Sequence, residues 1–481
     1  MFNMKSYQKV RLNRELIRDK IHAAWIGKNI GGTFGGPYEG TKDFLDVKDF
    51  ATEAGVPLPN DDLDLQLVWL YALEMEGPWN FSARILSEYW LSAIVPHWAE
   101  YGFAKANLRN GIPPMLSGEM HNDEFKHSNG AWIRSELWAC LAPGFPGIAR
   151  KLAFEDAQID HGLGEGTYAE LFTATLQSIA FFESDRRRAI ESALASIPAE
   201  SRVARAVSYV MAEYDKGTPY RTVRDALIED SRDLGWFMAP ANIGFVIIGL
   251  LYGEGDFKRS MIYATNCGDD TDCTAATLGA TLGIMYGTSG IPEDWRKHVG
   301  DEIVTICIAT TQSRLVAKTC TELTERVLRM MPSVFLAEGF DFEFTDGENE
   351  IDEGANAGST TAELFKRAPW SFDLPHNGYM KVIGEYDREP TVRAGESITL
   401  TLRFKNIVPD ACSFSVNLIL PDGFTADYPH SLVMGDWWRE DGSWSARVTV
   451  GDKLDAVNHV YAIVTPNGHM QPIIADFVLE A

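Results

Sequence analysis

The chain has 481 residues, 45% of them apolar, 11% aromatic and 23% charged, a globular composition with enough apolar material for more than one buried core. Asp plus Glu number 68 against 43 Lys plus Arg, a formal charge of -25 with no local basic run to offset it, which argues against a polyanion such as DNA or RNA as partner. Nor does any run approach the roughly 18 uninterrupted apolar residues of a membrane span.

The opening MFNMKSYQKVRLNRELIRDK is charged and lacks the apolar core of a signal peptide. Cys140, Cys267, Cys273, Cys307, Cys320 and Cys412 are scattered without CxxC spacing, the pattern of reduced thiols, so a cytoplasmic protein is expected. From about residue 10 to 335 the text has helical periodicity, in DLQLVWLYALEM, ARILSEYWLSAIVPHWAEYG, AELFTATLQSIAFF and RRRAIESALASI. ANIGFVIIGLLYG (241–253) reads as a buried helix. Between the helices lie Gly- and Pro-rich loops: GKNIGGTFGGPYEG (27–40), NGIPPMLSGEMHND (110–123) and DHGLGEGT (160–167). The expected fold is an all-α orthogonal bundle over residues 1–338.

Residues 339–369, beginning FDFEFTDGENEIDEG, are acidic and polar and suit a linker or exposed loop. Over 370–481 short alternating runs such as ESITLTLRFKN, CSFSVNLILP and SWSARVTV are punctuated by LPDGF and TPNGH, which predicts a small immunoglobulin- or fibronectin-like β-sandwich. Trp437, Trp438 and Trp444 would be core and edge aromatics, or else a sugar-stacking face.

Two helix starts stand out. PNDDLDLQL (59–67) and CGDDTDCTAA (267–276) each set adjacent aspartates before an apolar helix. A cap needs one acceptor, and further carboxylates at a partly buried point repel each other unless a cation intervenes. Gly279, Gly283 and Gly287 recur every four residues along the second helix, a stripe that lets another backbone approach. Two such helix entries, meeting, would form an all-oxygen site for a hard cation, Mg²⁺ or Mn²⁺, with Ca²⁺ possible; no Cys/His spacing argues for zinc.

With these motifs in order, the chain resembles the ADP-ribosylglycohydrolase family over roughly residues 18–335. AAWIGKNIGGTFGGPYEG is similar to its opening Gly-rich helix and loop ending G-x-P-x-E. PNDDLDLQL resembles its T-D-D-T motif, SNGAWIR (128–134) its N-G-x-x-M-R segment, and DHGLGEG its T-H segment. GDDTDCTAATLGATLGIMYG resembles its signature G-G-D-T-D-T-x-A-A-x-x-G-A-x-x-G. The resemblance implies two Mg²⁺ or Mn²⁺ ions on Asp61, Asp62, Asp270 and Asp272. Asn60 stands in place of a ligand Thr, and Cys273 in place of the last ligand Thr. It implies Glu39 or a metal-bound aspartate such as Asp62 as the acid–base group, and His161, with Asn129 and Gly130, at the ribose. Asp269 stands where a second signature Gly is usual, and Gly32 where an Asp commonly follows the first loop glycine. His121, Asp123 and His127 read as surface residues of a loop that could cover the cleft.

The activity so implied is metal-dependent hydrolysis of an N- or O-glycosidic bond to a ribofuranosyl group, of ADP-ribosyl type, on a small molecule or a protein side chain. Two alternatives stay open: an uncharged furanoside or nucleoside-like glycoside on the same scaffold, and an inactive reader of ADP-ribose or glycan. No membrane partner is expected, and the oligomeric state is left open.

Overall fold

Small residues at four-residue spacing draw two helices together until their backbones touch. Arg14–Gly35 and Thr271–Tyr286 run antiparallel, with Gly27 against Gly279, Ala23 against Gly283 and Gly35 against Thr271. A methyl group at Gly27 would lie 2.1 Å from the Gly279 carbonyl oxygen, and one at Gly283 would lie 2.2 Å from that of Ala23. Neither position tolerates a side chain. The predicted stripe holds at Gly279 and Gly283; Gly287 instead lies beyond the last turn, at φ 69°, and closes the helix by donating to the Gly283 carbonyl. Because the pair is antiparallel, the end of the first helix and the loop after it fall beside the start of the second.

The computed structural model describes residues 8–352, 364, 368, 370–375, 380–406, 412–434 and 442–481. Around the central pair pack Asp61–Glu76, Pro146–His161, Glu165–Ala180, Ala239–Tyr252 and Cys320–Ala337, all contributing to one apolar core. Ala239–Tyr252 is buried from end to end except for its last residue, as its unbroken apolar text predicts. Among the described residues no helix is long and apolar enough to cross a membrane.

A small sheet was not expected in this half. Gln8–Asn13 pairs parallel to Phe340–Thr345 and antiparallel to Glu350–Ile351, so the start of the stretch read as a linker is strand. Phe340, Phe342 and Phe344 alternate with acids; Phe340 and Phe342 pack on Phe335, while Arg11 pairs with Asp341 and Glu343 at 3.1 Å each. The acidic composition masks a two-residue alternation.

The C-terminal strands form two antiparallel sheets. One runs, in spatial order, Ser371–Asp373, Met380–Tyr386, Ser397–Asn406, Gly442–Thr449 and Thr425–Asp427; the other runs Ile473–Glu480, Val457–Pro466, Cys412–Ile419 and Ser431–Met434. Phe404 stacks on Phe414 across the sheets with ring centroids 5.0 Å apart, and alternate residues of each long strand are buried. Trp444 is buried, its indole N–H donating to the Pro429 carbonyl at 2.7 Å, which makes it core rather than a sugar platform. Trp437 and Trp438 lie outside the described residues. Ile112, Leu116 and Met120 of the helical half insert into the sandwich core, and His121 Nε2 meets Glu480 Oε2 at 2.5 Å. The loop that carries His121 therefore docks on the sandwich and continues to Ser128–Gly130.

Candidate active site

The Asp61–Glu76 helix is capped by Asn60, whose side-chain oxygen accepts from the Asp62 backbone N–H at 3.0 Å. Asp270 occupies the N-cap position of its helix, yet its side chain makes no capping bond. Capping thus accounts for Asn60 but for none of the adjacent aspartates. Their carboxylates converge instead. Ligand atoms of Glu39, Asp270 and Asp272 all lie within 4.8 Å of one another, as do those of Asp62, Asp272 and Cys273. Asp62 Oδ2 and Asp272 Oδ1 are buried without a hydrogen-bond partner. Oxygens crowded this way suit a hard cation.

Crowding raises the pKa values of these carboxyl groups. Burial, then Asp270, raises Asp61 to about 7, and burial with Asp270 and Asp62 raises Asp272 well above the carboxylate range. Burial, then Asp270 and Asp62, also raises Glu39, on the loop beside Asp270. Folded-state values above the unfolded value of about 4 mean the native state holds protons that unfolding releases. That contribution is complete below about pH 4 and is lost as pH rises through 7. Thermal melts in EDTA should therefore fall over this window, less steeply for Asp61→Asn than for wild type. A metal ion bound at pH 7 should raise the melting temperature. Parallel melts of the two proteins check this: equal slopes would remove the reading.

One member of the site was missed in the sequence. Lys28, inside AAWIGKNIGG, is fully buried. Its ammonium donates to the Ile133 carbonyl and, at 3.2 Å, to Glu136 Oε1, and lies 3.4 Å from Asp62 Oδ2. Burial lowers its pKa, but Glu136 and then Asp62 outweigh that and hold it above the ordinary value. The Cys273 thiol donates to Asp62 Oδ1 at 3.4 Å. Asp62 is thus held between a cation and a thiol and does not line the open cavity. The only sequence signal was a lone charge among small and apolar residues.

Two departures from the family pattern have local reasons. Asp269 takes φ 65°, the left-handed region, which explains glycine as the usual residue there. Its carboxylate turns away from the cluster, accepting from Phe237 N at 2.6 Å and Asn242 Nδ2 at 3.0 Å. Its backbone N–H donates to Thr41 O at 2.7 Å while Gly40 N donates to Asp269 O at 2.9 Å, clasping the Glu39 loop against the second helix start. A methyl at Gly32 would sit 2.0 Å from Asn60 Nδ2, so the missing side chain there makes room for the Asn60 amide.

The cavity at these helix starts has a volume of about 280 Å³. Glu39, Asp61, Asp270, Asp272 and Cys273 line it together with Asn129 and Gly130. Asn129 Nδ2 donates to Asp270 Oδ2 at 2.8 Å while its oxygen accepts from Trp132 Nε1 at 2.9 Å, so both ends of the amide are fixed. His161 is fully buried behind this wall, with Nε2 2.9 Å from Ser128 Oγ and Nδ1 3.0 Å from Asp160 Oδ1. It does not line the cavity. His127 accepts from Glu165 N at 3.1 Å, and Asp123 is exposed beside Lys126. Instead, Trp98, Tyr101, Trp236 and Phe237 make aromatic walls. Ala99, at φ 34°, and Phe237, at φ 51°, hold strained backbone next to Trp98 and Trp236, a cost usual at functional rims. A larger cavity of about 520 Å³ between the helical half and the sandwich shares no lining residue with this one.

A family model described as ADP-ribosylglycohydrolase matches residues 13–329. The chain belongs to the ADP-ribosylglycohydrolase family. Over a stretch of 49 residues it is 37% identical to the ADP-ribosylarginine hydrolase Tri1 of Pseudomonas putida (strain GB-1), which spans 10% of this chain and 13% of that protein. A solved structure described as an ADP-ribosylglycohydrolase-related protein complex is 21% identical over 67% of this chain and 99% of its own, with a TM-score of 0.43. The FixG-related protein from Vibrio parahaemolyticus covers 22% of this chain and 97% of its own at 12% identity, with a TM-score of 0.19.

Proposed function

We propose that the protein is a metal-dependent glycohydrolase that cleaves an N- or O-glycosidic bond to a ribofuranosyl group, of ADP-ribosyl type. The observation that carries this is the convergence of two acidic helix starts, neither using its aspartates as caps, on one cavity with Glu39 at its edge. The donor set suits Mg²⁺ or Mn²⁺ on Asp270 and Asp272, with Asp61 beside them, which leaves Glu39 as a base. The Asp62, Asp272 and Cys273 group is less suited, since it includes a neutral thiol and Lys28 already supplies a positive charge there. Bound divalent ions would supply polarisation of water and of the ribose hydroxyls.

The protein's own groups carry the remaining roles. Glu39, exposed on the cavity edge, takes a proton from the attacking water, a task for which Asp62 is too deeply held. Asn129 fixes the Asp270 carboxylate so that it need not reorient as positive charge grows on the anomeric carbon. The aromatic walls exclude bulk water and stack on a planar part of the substrate.

One observation favours the second reading, an uncharged furanoside or nucleoside-like glycoside. Five carboxylates line the cavity and, among the described residues, no Lys, Arg or His does. A diphosphate would find its only positive partners in bound metal. The test is a hydrolysis panel with Mg²⁺ or Mn²⁺, comparing ADP-ribosyl-arginine and ADP-ribosyl-serine with nucleosides and aryl ribofuranosides. Turnover of the first pair supports the ADP-ribosyl reading, and turnover of the second pair alone the other. No turnover of any leaves the inactive reader.

A further inference from the structure

Glu100, in the first turn of the helix Ala99–Arg109, was not singled out by any motif. It is 6% exposed, yet it lines the cavity together with Glu39 and Asp270. Its Oε2 is buried with no hydrogen-bond partner. Its Oε1 lies 2.0 Å from where a methyl at Gly130 would sit, so the bare backbone at Gly130 is what admits this carboxyl to the wall. Behind it stands the Ser128 hydroxyl, which favours the ionised form of Glu100, and behind Ser128, at 2.9 Å, His161 Nε2. His161 is itself held by Asp160 on one side and packed against Gly166 on the other. The line Asp160, His161, Ser128, Glu100 thus ends at the cavity.

We propose that Glu100 is a catalytic acid of this site, giving its proton to the leaving group. The inference rests on the hydrolase reading above. The bond from the anomeric carbon breaks with its electron pair going to the leaving oxygen or nitrogen, which takes the Glu100 proton. Water adds to the carbon and yields its proton to Glu39, which returns one to Glu100 through solvent. One water is consumed and no other reactant is needed. Burial raises Glu100 to about 7, against His161, which lowers it, while Asp160 raises it further, so a proton is held near neutrality. A buried carboxylic acid whose pKa is raised is suited to this task. The bare backbone at 130 and the buried, orphaned oxygen are otherwise without an account.

The test uses the full-length, metal-loaded protein and two ribofuranosides of the accepted anomer, one with an alkyl aglycone and one with a nitrophenyl aglycone. The nitrophenolate leaves without protonation; the alkoxide does not. Glu100→Gln, matching the shape of the neutral acid, should slow the alkyl substrate roughly 100-fold or more and the nitrophenyl substrate by less than about tenfold. An equal loss on both marks a merely structural residue, and no loss on either marks a spectator; each overturns the proposal. Should Glu100→Gln melt far below wild type, Glu100→Asp, which keeps the acid but withdraws it, must show the same split in smaller measure or the proposal falls. A wild type inert toward both substrates, in the plain ribofuranosyl and the ADP-ribosyl form alike, would remove the hydrolase reading, and this inference with it, whereas an active wild type with unsplit losses removes Glu100 alone.

Discussion

Asp270→Asn is expected to abolish metal-dependent hydrolysis while leaving the fold intact. Asp270 belongs to the Glu39, Asp270 and Asp272 group, lines the cavity, and is oriented by Asn129 Nδ2 at 2.8 Å. An asparagine keeps the shape and can still accept from Asn129, but removes the charge. The expected loss is about 10²–10³-fold in kcat at the least, and loss of a direct ligand should weaken metal affinity beyond the roughly 10–100-fold that outer-shell substitutions cost. The control is internal. Asp270 is a source of the repulsion that raises Asp61, Asp272 and Glu39, so in EDTA the variant should melt no lower than wild type. With Mn²⁺ the wild type should gain stability and the variant should not. Turnover unchanged at saturating substrate and metal would sink the assignment of the site; a variant that melts far lower in EDTA would mean Asp270 is chiefly structural.

The features legible in the sequence were those written in consecutive residues. Gly279 and Gly283, one turn apart, announce a close helix contact; their partners Gly27 and Ala23 sit in a text already conspicuous for small residues. Adjacent carboxylates at 61–62 and 269–270 are conspicuous because local capping needs one acceptor. Even there the outcome differed by residue: Asp270 faces the cavity, while its neighbour Asp269, on left-handed backbone, turns to Phe237 and Asn242. No spacing rule distinguishes the two, because the backbone angle that separates them is set by the clasp with Thr41, more than two hundred residues away in the chain.

What was not legible depends on such long-range pairings. Lys28, in a stretch read as a Gly-rich loop, and Glu100, in one with helical periodicity, each look like a solvated charge. Lys28 is tolerated inside only because Glu136 and Asp62 arrive from two other helices, and Glu100 enters the wall only because residue 130 lacks a side chain. His161 was placed at the ribose by its motif, but Ser128 stands in front of it. The strand Gln8–Asn13 becomes one only when Phe340–Thr345 lies beside it.

The largest effect on stability is expected from Arg134→Leu. Arg134, fully buried within SNGAWIR, makes ion pairs with Asp156 at 2.9 Å and Asp160 at 2.7 Å and donates to the Gly130 carbonyl. Burial would raise Asp160, but Arg134 and then His161 outweigh it and hold the carboxyl at about 2. Glu170 beside them is pushed well above its usual range by burial and Asp156, so it stays protonated and demands no second cation. Leucine leaves two buried carboxylates without their cation, Asp156 keeping only the indole N–H groups of Trp69 and Trp138 and Asp160 only His161; loss of one member of a buried pair typically costs about 3–5 kcal/mol. Urea denaturation at pH 7 should show that loss. The pH dependence separates it from a mere cavity. In wild type the Asp160 contribution is present above the unfolded value of about 4 and lost as pH falls toward 2. In the variant both aspartates must take up protons to stay buried, so its deficit relative to wild type should shrink as pH falls from 7 to 5. Packing loss alone would leave the deficit constant. Because the guanidinium also holds the Gly130 carbonyl, and with it the loop that admits Glu100, the surviving fold should bind substrate less well, a rise in KM that Arg134→Lys should share, since an ammonium cannot reach both aspartates and the carbonyl as a planar fork does.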